Sequence, residues 1–119
     1  MRSIAGTGLL VSALLFAAVG TALAHAVLVE VAPPLNGSVA GPEVVFHLRF
    51  NSRVDAARSV LNLVSPDGKT RQITAARQLS PNSLDAKSSD MKTGRYLLRW
   101  QVLAADGHIT RGEIPFQVK

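Results

Sequence analysis

The chain has 119 residues, with 13 Lys and Arg against 8 Asp and Glu, a formal net charge of +5. That length holds one ordinary domain, and the basic residues are dispersed with little aromatic interleaving, which argues against nucleic-acid binding and for a soluble surface. There is no cysteine, so disulfides and thiolate sites are excluded, and metal chemistry is confined to His, carboxylate, Met and the terminal amine.

Arg2 is the lone charge ahead of an uncharged run from Ile4 to Ala24, rich in Leu, Ala, Val and Gly. The run closes on Ala22-Leu23-Ala24, the small-x-small pattern cut by signal peptidase. A signal peptide over 1–24 is therefore predicted, cleaved after Ala24, followed by a single domain over 25–119. The run is also long enough for an uncleaved membrane anchor. Gly6, Thr7, Gly8, Ser12, Gly20 and Thr21 dilute its apolar character, and the small-residue end favours cleavage.

The rest reads as strands separated by turn punctuation. His25 to Val31 is apolar and β-branched, and Pro33-Pro34-Leu35-Asn36-Gly37-Ser38 breaks it. From Glu43 to Phe50 the pattern alternates, with Val44, Phe46, Leu48 and Phe50 on one face and Val45, His47 and Arg49 on the other. Ser59 to Val64 is a further strand, stopped by Ser65-Pro66-Asp67-Gly68, a tight-turn tetrapeptide. Thr70 to Thr74 returns as the second arm of a hairpin, and a short strand is placed around Ser83-Leu84-Asp85-Ala86. After a turn at Lys92-Thr93-Gly94, residues Tyr96, Leu98, Trp100 and Val102 share one strand face. Ala104 to His108 turns the chain into a last strand, Ile109 to Val118, where Pro115 limits the hydrogen bonding.

Short strands at regular spacing predict an all-β sandwich of about seven strands, Ig-like or cupredoxin-like in its Greek-key arrangement. Phe46, Phe50, Leu61, Leu98, Trp100 and Phe116 are the expected inter-sheet layer. His47 reads as an exposed histidine and Met91 as a gap-filler.

Cleavage after Ala24 would make His25 a terminal residue, and its α-amine and imidazole Nδ1 can then chelate one metal together. Asp106-Gly107-His108 supplies a carboxylate and an imidazole two positions apart, which face one way at a strand end. Taken singly, Asp-Gly is a common turn dipeptide and a neighbouring His is ordinarily solvated. Together His25, Asp106 and His108 offer three nitrogens and one oxygen, a tetragonal set that suits one Cu(II) per chain.

These residues resemble the CopC family of periplasmic copper-binding proteins. The resemblance runs through the terminal His, Pro34-x-x-Gly37-Ser38, Pro42-x-x-Val45-x-x-x-x-Phe50, Trp100-x-x-x-x-x-Asp106-Gly107-His108 and Gly112-x-x-x-Phe116-x-Val118. It implies a seven-stranded sandwich and a Cu(II) site of the histidine-brace kind built from His25, Asp106 and His108. It also implies a monomeric periplasmic copper carrier or buffer in copper homeostasis and resistance, working beside a CopD-type inner-membrane partner. Some members carry a methionine-rich Cu(I) loop, whereas this chain keeps only Met91 beyond its leader. Many carry an acidic residue shortly after the Phe of the second strand, where this chain has Asn51-Ser52-Arg53. Two other readings stay open: a histidine-brace oxidase or monooxygenase, and a structural sandwich with an incidental terminal histidine.

Overall fold

The computed structural model describes residues 26–75 and 78–119. The expected signal peptide and His25 lie outside the described residues.

Among the described residues there are eight strands: β1 (Leu28–Ala32), β2 (Ser38–Val39), β3 (Val44–Phe50), β4 (Val54–Val64), β5 (Thr70–Ile73), β6 (Ser83–Ser88), β7 (Gly94–Ala104) and β8 (Ile109–Val118). They form two sheets, one of three strands in the order β1-β3-β6 and one of five in the order β2-β8-β7-β4-β5. The all-β sandwich expected from the strand spacing is the fold observed.

Alternation decides which sheet face is buried. Val44, Phe46, Leu48 and Phe50 of β3 are fully buried, and Tyr96, Leu98, Trp100 and Val102 of β7 face them from the other sheet. All six residues expected between the sheets are buried there. Aromatic rings stitch the layer: Phe46 meets Phe116 edge-on at 5.7 Å, Phe50 meets Trp100 edge-on at 5.3 Å, and Tyr96 stacks on Phe116 at 5.6 Å. Each such side chain contributes about 1.5–3 kcal/mol through burial, which a chain without disulfides needs.

Two elements differ from the local reading, each for a physical reason. β4 begins at Val54, five residues before the alternating run, and its pairing with β7 shifts register between Asp55 and Val60. Inside that irregularity Asp55 closes a small polar turn: Arg58 N–H donates to its Oδ1 at 3.2 Å and Ser59 Oγ donates to its carbonyl at 2.6 Å. A bulge of this kind hides the period-two pattern. β2 is only two residues long and runs parallel to β8, pairing Ser38 with Gln117 and Val39 with Val118. It follows the turn closed by Gly37 N–H on the Pro34 carbonyl at 2.8 Å, so turn chemistry masks it.

Candidate metal centre

The β7–β8 connection presents the expected donor pair. Ala104 N–H donates to the His108 carbonyl at 2.8 Å, and Gly107 N–H donates to the Ala104 carbonyl at 2.9 Å, closing a tight turn. Gly107 sits at φ 88°, a left-handed conformation that glycine adopts without steric cost. Asp106 then folds onto its own turn: His108 N–H donates to Oδ1 at 3.0 Å, and Oδ2 lies 3.0 Å from His108 Nδ1. The side chains of His108 and Asp106 are 58% and 23% exposed.

That second distance has chemical meaning beyond a hydrogen bond. Two donors at roughly 2.0–2.2 Å from one metal, at right angles, would be about 2.9 Å apart. The 3.0 Å between Asp106 Oδ2 and His108 Nδ1 is that of an ordinary ion pair and is also a spacing that one metal ion could span.

The first described residues are laid against the same end of the sandwich. Val27 and Asn51 clasp each other, Val27 N–H donating to Asn51 Oδ1 at 2.8 Å and Asn51 N–H donating to the Val27 carbonyl at 2.9 Å. Two residues on, Ala105 N–H donates to the Arg53 carbonyl at 3.1 Å. The loop 51–53 thus joins the first described residues to the Asp106–His108 turn, and Ala26, the neighbour of His25, is fully buried. Among the described residues, no group of three or more His, Asp or Glu side chains is placed to hold a metal ion. Asp106 and His108 bring two side-chain donors to the turn, and the other two expected donors belong to His25.

The remaining histidine is not the exposed group its strand position suggests. His47 of β3 lies opposite Asp85 of β6 and bonds it through Nδ1, and its side chain is 28% exposed. Asp85 is buried, and it also accepts from Ser83 Oγ at 2.6 Å and from Leu79 N–H at 3.0 Å. Burial works to raise its carboxyl pKa. The hydrogen bonds from His47, Ser83 and Leu79, with the charge on His47, outweigh that and hold it below the ordinary carboxylate value. Glu30 Oε1 lies 3.8 Å from His47 Nε2, and Arg49 Nη2 lies 3.6 Å from Glu30 Oε2. The signal in the sequence was an aspartate between Leu84 and Ala86 in a strand, where such residues are depleted. Met91 is buried and takes a 3.5 Å contact from Arg71 Nη2, as befits a gap-filling core residue.

Comparison with known proteins converges on one family. The CopC domain model matches residues 28–119. Copper resistance protein C of Xanthomonas campestris pv. juglandis is 33% identical, over 99% of this chain and 97% of that protein. Protein YobA of Escherichia coli strain K12 is 28% identical over 81% of this chain and 80% of its own length. Among solved structures, CopC from Methylosinus trichosporium OB3b superposes with a TM-score of 0.73 at 30% identity, covering 80% of this chain and 94% of that one. PcoC, a methionine-rich copper resistance protein from Escherichia coli, shares the fold with a TM-score of 0.64 at 24% identity, over 81% of this chain and all of that one. With its eight-stranded sandwich and a family match from the first strand to the last residue, the chain belongs to the CopC domain family.

Proposed function

We propose that this protein is an exported Cu(II)-binding protein of the periplasm, freed by cleavage after Ala24 as a domain of residues 25–119. It holds one Cu(II) through the α-amine and imidazole of His25 together with Asp106 and His108. The observation that carries this reading is the 3.0 Å pairing of Asp106 Oδ2 with His108 Nδ1 at the end of the sandwich where Val27 is clasped by Asn51. The similarity to a copper resistance protein over 99% of this chain supports copper as the metal. Three nitrogens and one oxygen favour Cu(II) over the other first-row divalent ions.

The protein acts as a binding module, a monomeric carrier or buffer in copper homeostasis and resistance, passing its cargo to a CopD-type inner-membrane partner. Catalysis at a polymer surface has no support in the fold, since Phe46, Phe50, Tyr96, Trp100 and Phe116 are all buried. None of them offers the aromatic platform that a polysaccharide-oxidising copper enzyme needs.

The test begins with the full chain expressed in a bacterium and recovered from the periplasm, its first residue fixed by mass spectrometry. One equivalent of Cu(II) should give a tetragonal EPR signal with several nitrogen couplings. Adding one glycine ahead of His25 should remove the amine coupling and change the spectrum. Identical spectra for the two forms would remove the terminal amine from the ligand set and sink the reading.

A further inference from the structure

His47 of β3 lies between two carboxylates that come from the strands on either side of it. Its Nδ1 bonds Asp85 Oδ1 of β6, and its Nε2 lies 3.8 Å from Glu30 Oε1 of β1. The first contact fixes the tautomer of the ring. Asp85 Oδ2 already accepts from Leu79 N–H at 3.0 Å and from Ser83 Oγ at 2.6 Å, and a carboxylate at neutral pH has no proton to give. Nδ1 therefore carries the proton in the bond to Asp85. The neutral imidazole then keeps its lone pair on Nε2, where Glu30 Oε1 stands. Glu30 is oriented too. Its other oxygen, Oε2, lies 3.6 Å from Nη2 of Arg49, its cross-strand neighbour.

Two electron-pair donors thus face each other, and a cation between them turns repulsion into binding. A proton can fill that role, and so can a metal ion. Two carboxylates against one guanidinium leave this cluster with one negative charge when the imidazole is neutral. Lys87, two residues on from Asp85, is drawn instead to Glu43 at 3.6 Å.

We infer that His47 Nε2 and Glu30 Oε1 form a second metal site, for a divalent cation of the Zn(II) class, with Asp85 as the positioning residue of the imidazole. A carboxylate on the far nitrogen of the ring is the usual way in which a ligating histidine is held. The site lies on the outer face of the three-stranded sheet and uses neither Asp106 nor His108, so it does not depend on the copper reading. Two ligands of a tetrahedral ion, each at about 2.0–2.2 Å, stand about 3.4 Å apart. Closing the observed 3.8 Å asks only a few tenths of an ångström, and the Glu30 side chain, 58% exposed, is free to supply it. Two protein ligands are fewer than a closed structural site has, so water completes the coordination and binding is correspondingly weak.

The test is an NMR titration of the full chain, recovered from the periplasm, with Zn(II) alone as the probe. The ¹⁵N resonances of the His47 ring report the tautomer first and the affinity second. Neutral His47 should show its proton on Nδ1 and its lone pair on Nε2, and Zn(II) should shift the Nε2 resonance. Glu30→Gln should weaken this response about tenfold or more. Asp85→Asn leaves both ligands in place but turns an NH₂ toward Nδ1, which moves the ring proton to Nε2, so the affinity should fall by at least about tenfold. Denaturant unfolding of the same samples shows that the variants are folded. His108→Ala should leave the His47 response unchanged. A neutral ring protonated on Nε2 in the wild type would overturn the inference, as would His47 resonances that ignore Zn(II). Equal affinity in wild type, Glu30→Gln and Asp85→Asn would overturn it as well. A response that disappears in His108→Ala would do the same, by assigning the effect to metal bound at the β7–β8 turn.

Discussion

Among the described residues there are two His–Asp pairs, and their surroundings differ sharply. On the β7–β8 turn, His108 and Asp106 are two residues apart, held by a glycine at positive φ, and the imidazole is more than half exposed. On the three-stranded sheet, His47 and Asp85 come from separate strands, and the carboxylate is buried under donors from Ser83 and Leu79. In the sheet pair, the oxygens of Asp85 are occupied by groups of its own fold, so the pair locks β3 to β6. In the turn pair, the donors sit 3.0 Å apart at the molecular surface, a spacing that a metal ion can span. Proximity of a histidine to an aspartate is common to both. What separates the two pairs is where the carboxylate's partners come from: His108 of its own turn for Asp106, and His47, Leu79 and Ser83 for Asp85.

The sharpest way to break this comparison is to delete each imidazole or carboxylate and ask which property fails. His108→Ala should raise the Cu(II) dissociation constant by about a hundredfold or more, beyond the ~10–100-fold expected for an outer-shell partner alone. With so exposed a side chain, the stability of the copper-free protein should change by less than about 0.5 kcal/mol. Chelator competition and denaturant unfolding on the same samples check both halves. Retained affinity would move His108 out of the site, and a large loss of stability would make the turn pair structural after all.

Asp85→Asn should show the converse. An amide that keeps its oxygen on Leu79 N–H and the Ser83 hydroxyl must turn its NH₂ to His47 Nδ1, which accepts it only as the neutral Nε2–H tautomer, so the charge-assisted bond to His47 is lost. The expected cost is about 1–3 kcal/mol, visible as a lower denaturant midpoint with an unchanged slope. Cu(II) affinity should stay within about threefold of wild type, since nothing in this pair belongs to the proposed ligand set. A variant that unfolds normally but binds copper poorly would tie the three-stranded sheet to the metal and dissolve the distinction.

The two pairs also differ in how far the sequence reveals them. Asp106-Gly107-His108 is local: strand period and turn chemistry together place both side chains, and the structure adds only the distance. The layer of Phe46, Phe50, Leu98, Trp100 and Phe116 was legible for the same reason, because alternation fixes which face a strand buries. His47 with Asp85 was not legible. Their meeting depends on the register of β3 against β6, which no short-range pattern encodes, so His47 reads as one more polar residue on an outward face. β2 and the first half of β4 were hidden too, one behind a turn and one behind the Asp55 bulge. Local chemistry was readable and long-range satisfaction of polar groups was not.

Acid provides a milder probe of the same contrast. In the unfolded chain Asp85 would take up its proton near its ordinary pKa of 3.8, whereas in the fold the carboxyl is held lower. Between those two values the unfolded state binds more protons than the native state, so falling pH favours unfolding. The contribution is fully present above the ordinary value and is lost progressively as the pH falls through the folded one. Wild-type stability in copper-free buffer should therefore decline across that window, and Asp85→Asn, less stable at neutral pH, should decline less steeply. The two curves should approach each other in acid, because protonation abolishes in the wild type what the amide has already abolished in the variant. Parallel curves from neutral pH down would show that another carboxylate governs the acid limb. The buried sheet pair would then be held by geometry alone, with no contribution from its charge.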